Sequence, residues 1–564
     1  MRRLYNLYVI AFVICLASSC TDFLDRAPGD NMTKEELFSN IETAERYLDN
    51  AYVYLPDYQT NTEDLTGRYK LGDATDEGGF QQASGYPASP FDINLGSWNP
   101  TQMPMARNWS DYYSCIRRCN NFIENYDLIP EDLSTGGGSN RRERLLGEAY
   151  GLRGYYYFLL FKQWGGVPII TKVLDPGNVE SLEGIRRATA EQTLQQVLDD
   201  MDEAMKYLPE KHDAANYGRF TSIVATVVKS QVKLYWASKY WNPDNDVTRW
   251  EEAAEASREA LKMAESNGHI LARTYSELFN SPGVKAEAIW TKNSEHYECY
   301  WWDVYSMPLG YNAYNVDGPL QEMVDAFEMK ESNEVPVLGY NEDNTQIINP
   351  KATDYDPAKP WDGREDRFYS VILYHGAMLQ GRPIDISATG KDNINIGSII
   401  RTNYFNNKYL DQNHNLTTHA SWTYRRFAIM RTAELYLNYA EALNESLSAP
   451  NSVVHELVNT IRRRANQKDL PASLTKDEMR ERIRHERRVE LCFENHRFWD
   501  VRRWMIAEEV DNKTVHRVTV DENGVISYPV FQHRVFDPSK HYLFPIPQSE
   551  IDKNREGLKQ NPGW

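Results

Sequence analysis

The chain has 564 residues but few long apolar stretches and comparatively few basic residues. After the run from Leu4 to Ala17, no segment reaches the ~18 consecutive apolar residues of a transmembrane helix. Lysine and arginine total 62 against 81 aspartate and glutamate residues, so the formal net charge is −19. Nucleic acid, anionic membrane surfaces and highly acidic polysaccharides need basic patches on their partner, and the acidic balance argues against all three. A neutral or modestly charged ligand fits this composition best.

Cysteine is also scarce, with 6 in the whole chain. Cys15 and Cys20 belong to the N-terminal export segment. The others are Cys115, Cys119, Cys299 and Cys492. The spacing of Cys115 and Cys119 matches neither the Cys-x-x-Cys redox motif nor a paired zinc motif. The sequence therefore favours buried thiols, while a disulfide in an oxidising compartment stays open as an alternative.

The N-terminus has the pattern of an export signal. Two arginines precede the apolar run from Leu4 to Ala17, which is too short to span a bilayer. The run leads into Leu16-Ala-Ser-Ser-Cys20, which resembles a lipoprotein signal cleaved before a cysteine that then carries the lipid. We expect residues 1–19 to be a signal peptide that is removed, and lipid on Cys20 to anchor the protein to a membrane without spanning it.

No linker rich in serine, glycine or proline divides the rest of the chain, although its length alone suggests roughly three or four domains. We predict an N-terminal region 20–230 with helical repeats and a C-terminal region 231–564 that fold together as one globular unit. Thr33 and Glu36 form a capping box, and the apolar period that follows predicts one helix to Ala51. Further helices are predicted at 189–208, 221–240 and 249–266.

The most densely charged stretch is 484–504, near the C-terminus. Thr475 and Glu478 form a capping box that predicts a helix leading into it. Asn495 tolerates the left-handed conformation, so the chain is expected to turn there and begin a second helix. We expect the charges to form a partly buried lattice of ion pairs. Its members would be Arg487, Arg488, Glu490, Glu494, Arg497, Asp500 and Arg502.

Glu494 and Asp500 allow an alternative interpretation as the carboxylate pair of a glycosidase. Each of them has arginines close by in the sequence. Such neighbours favour the ionised form and lower the pKa of a carboxyl group, whereas a general acid needs a raised pKa. A structural role for both residues is the better interpretation.

Several motifs resemble the SusD/RagB family of glycan-binding lipoproteins on the outer membrane of Bacteroidota. The most specific is 486–504, which ends in Arg497-Phe-Trp-Asp-Val-Arg-Arg-Trp504, with Asn495 where the family usually has glycine. Two more are 109–122 and 148–168, the second ending in Trp164-Gly-Gly-Val-Pro168. The resemblance covers nearly the whole chain after Cys20. It departs at 330–334, where the family more often has an Asp-Gly turn.

The resemblance implies a mainly α fold, in which tetratricopeptide-type helix pairs pack against a loop-rich α+β region with short strands. It implies a protein without enzymatic activity or cofactor, which is anchored to the outer membrane through lipid on Cys20 and faces the cell exterior. Such a protein would capture oligosaccharides and deliver them to a SusC-like TonB-dependent transporter. Family members of the RagB type serve peptide uptake, so a peptide ligand is an alternative, and a helical glycoside hydrolase is a more distant one.

The aromatic residues suggest where a ligand binds, since the chain has 36 Tyr and 14 Trp. A sugar ring can lay its C–H face on such a ring while its hydroxyls find hydrogen bonds nearby. Most of these aromatics lie at core spacing on predicted helices, but two clusters are predicted in loops. The first is Tyr86 with Trp98. The second is Tyr300, Trp301, Trp302, Asp303 and Tyr305, followed by Tyr311 and Tyr314.

The resemblance implies that ligand-binding aromatics come from these two loop regions. Trp301 and Trp302 are consecutive, so we expect one to lie in the core and the other to be free to stack. Candidate polar partners are Asp303, Asn312, Arg68 and Asn99. The acidic loop 354–366 is a candidate calcium site without the spacing of an EF-hand.

Overall fold

A computed structural model describes residues 33–56, 70–80, 90–131, 140–175, 177, 184–280, 286–292, 296–393, 400–418 and 427–564. The fold is mainly helical, as predicted. The first seven helices are α1 (Lys34–Phe38), α2 (Ile41–Asp49), α3 (Pro90–Leu95), α4 (Arg107–Glu124), α5 (Arg141–Trp164), α6 (Ala190–Met205) and α7 (Ser222–Ala237). The helices that follow are α8 (Val247–Ser266), α9 (Tyr275–Asn280), α10 (His296–Ser306), α11 (Gln321–Ala326), α12 (Asp366–Val371), α13 (Thr432–Ser446), α14 (Ser452–Arg464), α15 (Lys476–Glu490), α16 (Arg497–Arg503), α17 (Ala507–Val510) and α18 (Gln548–Lys553).

The strands are short and form two-stranded antiparallel ladders. They are β1 (Gly78–Phe80), β2 (Ala288–Lys292), β3 (Asp317–Pro319), β4 (Val337–Tyr340), β5 (Gln346–Ile348), β6 (Ile372–Leu373), β7 (Met378–Leu379), β8 (Arg382–Pro383), β9 (Phe405–Asn406), β10 (Phe427–Arg431), β11 (Thr514–His516), β12 (Thr519–Val520), β13 (Ile526–Ser527) and β14 (Val530–His533). Strand β1 pairs with β3, which joins the two halves of the sequence. The main apolar core likewise draws residues from Phe38 through to Ile546.

The first predicted helix is divided in two. The Thr33 hydroxyl accepts from Glu36 N at 3.1 Å and the Glu36 carboxylate accepts from Thr33 N at 2.8 Å, which confirms the capping box. The helix ends at Phe38, and Asn40 Oδ1 then accepts from Glu42 N at 2.8 Å to begin α2. The prediction of one helix to Ala51 was wrong. The apolar residues keep a helical spacing through this segment, but Asn40 caps a new helix and so interrupts the first one.

The longer helices pack side by side in sequence order, from α4 through α8, and α13 packs on α8, α14 and α15. The helices predicted at 189–208, 221–240 and 249–266 are confirmed as α6, α7 and α8. Two glycines on α5 allow its close approaches. A Cβ on Gly151 would lie 2.6 Å from the Phe220 ring, and one on Gly154 would lie 2.5 Å from Met201 Cε. These two glycines therefore let α5 approach Phe220 and α6 closely.

The charged stretch forms the predicted lattice. Helix α15 begins at the Thr475 cap, and Asn495 has the left-handed φ of 63° that turns the chain into α16. Arg431, from β10, places one nitrogen 2.7 Å from Glu490 and another 2.7 Å from Glu494. Burial alone would raise the pKa of Glu494, but Arg431 and Lys408 outweigh it and lower that pKa to about 2.

Neighbouring basic side chains also keep the Asp500 carboxylate ionised, as they do that of Glu494. Burial would raise its pKa, but Arg487 and Arg503 lower it to about 2. The Arg487 guanidinium lies 3.1 Å from the carboxylate and that of Arg503 lies 2.8 Å away. Neither Glu494 nor Asp500 is suited to act as a general acid, so both are structural, as the sequence indicates.

Three of the cysteines, Cys115, Cys119 and Cys492, are free and buried. Burial raises the pKa of the Cys492 thiol to about 12. Cys299 lies in α10, in the part of that helix whose side chains are not described, and the predicted export segment with Cys20 lies outside the described residues. Across the described part of the chain, no helix combines the length and the apolar character needed to cross a bilayer.

Candidate ligand-binding site

The second aromatic cluster lies on a helix, not in a loop as predicted. Residues Tyr300 to Tyr305 belong to α10, whose 11 residues include neither glycine nor proline. A helix places residues four apart on one face and consecutive residues on different faces. Trp301 and Tyr305 therefore share a face, while Trp302 points elsewhere. The density of aromatics, which are poor helix formers, made a loop the expected structure.

The rings of Trp301 and Tyr305 have centroids 5.3 Å apart and an interplanar angle of 33°. Tyr314 joins them from the following loop, with its centroid 6.2 Å from Trp301 and 6.4 Å from Tyr305. Its backbone N–H donates to Val304 O at 2.8 Å, which fixes the loop on the helix. Tyr314 is 55 % exposed, and Trp301 and Tyr305 are half-buried.

Tyr300 stands edge-on to Trp301, with ring centroids 5.3 Å apart and an interplanar angle of 76°. We call Tyr300, Trp301, Tyr305 and Tyr314 the aromatic surface. The ring planes of Trp301, Tyr305 and Tyr314 are inclined to one another by only 33° to 38°. These three rings therefore turn their faces in similar directions on one side of the protein. Such a face suits a flat, partly apolar ligand.

Trp302 and Asp303 face the interior from the other side of α10. Trp302 is fully buried, its Nε1–H donates to Lys408 O at 3.2 Å, and the Lys70 ammonium lies 3.9 Å from its ring centroid. Asp303 is also fully buried and accepts from His414 Nδ1 at 2.7 Å and from Asp411 N at 3.1 Å. Both residues anchor the helix, which corrects the expectation that Asp303 fixes ligand hydroxyls.

Trp98, from the first predicted cluster, lies in the core. It is 3 % exposed, and its ring centroid lies 4.6 Å from those of Phe544 and Trp564 and 5.1 Å from that of His541. These rings cover it, so the expectation of an exposed loop residue is corrected. Asn99 is exposed, but its side-chain oxygen accepts from Thr101 N at 3.0 Å. Tyr86 and Arg68 lie outside the described residues.

Polar residues from the β7–β8 hairpin stand beside the loop that carries Tyr314. The Tyr311 hydroxyl donates to Leu379 O at 2.7 Å, and the Arg382 guanidinium lies 4.0 Å from the Tyr311 ring centroid. Arg382 also donates to both carboxylate oxygens of Asp392, at 2.6 and 2.9 Å, and this hydrogen bonding raises the pKa of Arg382. Sequence reasoning missed Arg382 and Asp392, since they lie far along the chain and carry no motif.

Asn312 is exposed beside this network. It has a left-handed φ of 61°, and its Nδ2 donates to Thr417 Oγ1 at 2.6 Å. Thr417 is a further residue that no sequence pattern indicated. Asn312 and Thr417 thus supply an amide and a hydroxyl near the aromatic surface, which are the groups that hydrogen-bond sugar or peptide ligands.

The acidic loop proposed for calcium is held by protein donors. Asp354 accepts from Glu331 N at 3.0 Å and Ser332 N at 3.3 Å, and the Asp366 carboxylate accepts from Asn466 Nδ2 at 2.9 Å. Within the described ranges, no group of three or more His, Cys, Asp and Glu side chains is arranged to hold a metal ion.

Comparisons with known proteins cover almost the whole chain. A model described as the SusD family matches residues 286–564, and one described as starch-binding and associating with the outer membrane matches residues 22–234. SusD-like protein P38 of Formosa agariphila is 25 % identical, with 97 % of this chain and 100 % of that protein aligned. A SusD-like protein of Bacteroides fragilis has a crystal structure that is 26 % identical, with a TM-score of 0.75, 96 % of this chain covered and 100 % of that one. A structure described as a laminarin-binding SusD-like protein is 22 % identical, with a TM-score of 0.62, 93 % of this chain covered and 100 % of that one.

Proposed function

The chain belongs to the SusD/RagB family, and we propose that it is a lipid-anchored protein of the cell surface that binds oligosaccharides and delivers them to a SusC-like TonB-dependent transporter. The observation that carries the binding proposal is the aromatic surface, where Trp301, Tyr305 and Tyr314 present related ring faces on one side. Sugar rings pack their C–H faces on such rings, and Asn312 with Thr417 would serve their hydroxyls.

The location of the protein is argued from two features. The description of the family model that matches residues 22–234 supports the outer membrane. The Leu16-Ala-Ser-Ser-Cys20 motif supports a lipid anchor on Cys20. From these we propose that the chain after Cys20 faces the cell exterior, where polysaccharide is met before transport.

Neither catalysis nor a cofactor is part of this proposal. Capture of a sugar for transport needs ring stacking and hydrogen bonds but no bond cleavage. Asp303, the carboxylate nearest in sequence to the aromatic surface, is fully buried and engaged by His414 and Asp411. Release of reducing sugar by the purified protein would overturn the assignment as a binding protein.

Calorimetric titration of the mature protein beginning after Cys20 tests the proposal. The panel contains neutral oligosaccharides, acidic oligosaccharides and peptides. We expect binding to at least one neutral oligosaccharide and none to peptides. Binding of peptides alone would replace the sugar by a peptide as the transported ligand.

A further inference from the structure

A cavity of about 120 Å³ lies among α4, α5, α7, α13 and α16. None of the residues of the aromatic surface lines it. One wall is apolar and aromatic, with Phe158, Leu159 and Trp499, while Lys162, Gln231 and Glu434 contribute polar groups. The cavity is therefore separate from the surface proposed to bind sugar.

Lys162, on α5, contributes an ammonium group that forms neither a hydrogen bond nor an ion pair within the described part of the chain. Its nitrogen lies 5.2 Å from the Phe158 ring centroid and 5.3 Å from that of Trp499, distances that give only weak cation–π stabilisation. Burial lowers the pKa of Lys162 to about 8, with Glu434 acting in the opposite direction. The group is therefore mainly protonated at neutral pH.

Glu434, on α13, is 3 % exposed, and only one of its two carboxylate oxygens accepts hydrogen bonds from the described residues. Its Oε1 accepts from Gln231 Nε2 at 2.7 Å and from Asn438 Nδ2 at 3.4 Å. Its Oε2 is buried and accepts no hydrogen bond from the described residues. A buried carboxylate oxygen without a donor is costly, so Glu434 favours a ligand that donates a hydrogen bond to it.

The other charges of the cavity wall are already compensated. Arg487 donates to Asp500 at 3.1 Å, and Glu494 lies 2.7 Å from Arg431. His496 is kept neutral because burial lowers its pKa. Lys162 and Glu434 are thus left as two opposite charges that share a cavity without touching each other.

We propose that this cavity binds a small zwitterion, an α-amino acid of the size of glycine or alanine, with its carboxylate on Lys162 and its ammonium on Glu434. The size of the cavity limits the ligand, since a cavity of about 150 Å³ accommodates benzene, and a hexose is larger still. The paired charges select a zwitterion over a neutral molecule, because each end of the ligand satisfies one uncompensated group. A short side chain would lie against Phe158 and Trp499.

The test is calorimetric titration of the mature protein beginning after Cys20 with L-alanine, and with glycerol, acetate and methylammonium as probes that lack one or both charges. We expect L-alanine to bind more tightly than each of the three. Lys162→Met and Glu434→Gln should each weaken L-alanine binding roughly tenfold or more, as loss of a charge-assisted contact does. Lys262→Met, on the exposed side of α8, is the matched control and should leave it unchanged.

Glu434→Gln preserves the shape of the side chain, so it keeps the test decisive if Lys162→Met fails to fold. Circular dichroism establishes folding for each variant. If none of the four probes binds, the cavity holds only water and the proposal fails. It also fails if glycerol binds as tightly as L-alanine, or if folded Lys162→Met or folded Glu434→Gln retains the affinity of the unaltered protein.

Discussion

Trp301 and Tyr305 lie one turn apart on α10, with their ring centroids 5.3 Å apart. Because both rings project from a single helix, their relative position is fixed before any ligand arrives. Trp302 fixes the helix from behind, through Lys408 O and the Lys70 ammonium. A site that is already ordered loses little conformational entropy on binding, which favours affinity.

Trp301→Ala and Tyr314→Ala are expected to weaken oligosaccharide binding by about 1–3 kcal/mol each, since aromatic anchors dominate binding energy. Isothermal titration calorimetry measures the effect, and circular dichroism establishes that each variant is folded. Tyr207→Ala is the control, because Tyr207 is a half-buried tyrosine in the segment between α6 and α7. Unchanged affinity in both folded aromatic variants would place the sugar elsewhere.

Helix starts were predictable because their chemistry is local. The Thr33 and Thr475 caps each satisfy backbone groups within three residues of themselves, so the sequence alone displays the whole interaction. The left-handed turn at Asn495 was predictable for the same reason. The division between α1 and α2 was missed because Asn40 competes locally with an apolar period that runs on through it.

The composition of the site was less predictable because it depends on contacts distant in sequence. Trp98 lies in an irregular segment, yet Phe544 and Trp564 from the other end of the chain cover its ring. Arg382 meets Tyr311 only because the β7–β8 hairpin folds back on that loop. Neither contact is marked in the sequence by a periodic pattern or a motif.

Lys70→Met is expected to lower the free energy of unfolding by about 3–5 kcal/mol, because it leaves Asp317 charged and buried without its partner. The Lys70 ammonium lies 2.7 Å from the Asp317 carboxylate and 3.0 Å from Ser306 Oγ, and both side chains of the ion pair are 3 % exposed. Urea unfolding measures the loss. Lys206→Met, on an exposed lysine, should change stability little.

Adding Asp317→Asn to Lys70→Met separates the ion pair from packing. If the buried charge causes the loss, the double variant should be less destabilised than the sum of the single ones. Strict additivity would mean that Lys70 stabilises the fold through its contacts with Trp302 and Ser306 and not through Asp317.

Glu77 should make the protein less stable as the pH rises from about 5 to 8. Burial raises the pKa of Glu77 from its ordinary 4.5 to about 8, against a hydrogen bond from Phe493 N at 3.1 Å. The folded state therefore holds a proton that the unfolded state has lost. This favourable contribution is complete below pH 4.5 and disappears as the pH approaches 8.

Glu77→Gln removes this titration, because the amide stays neutral at every pH. Between pH 5 and pH 8, the free energy of unfolding of the variant should rise by roughly 2–4 kcal/mol relative to that of the unaltered protein. Urea unfolding at both values measures the change, with the exposed Glu35→Gln as the control. A difference that is the same at pH 5 and pH 8 would mean that Glu77 is ionised in the folded protein, so that Arg488 and Arg497 outweigh its burial.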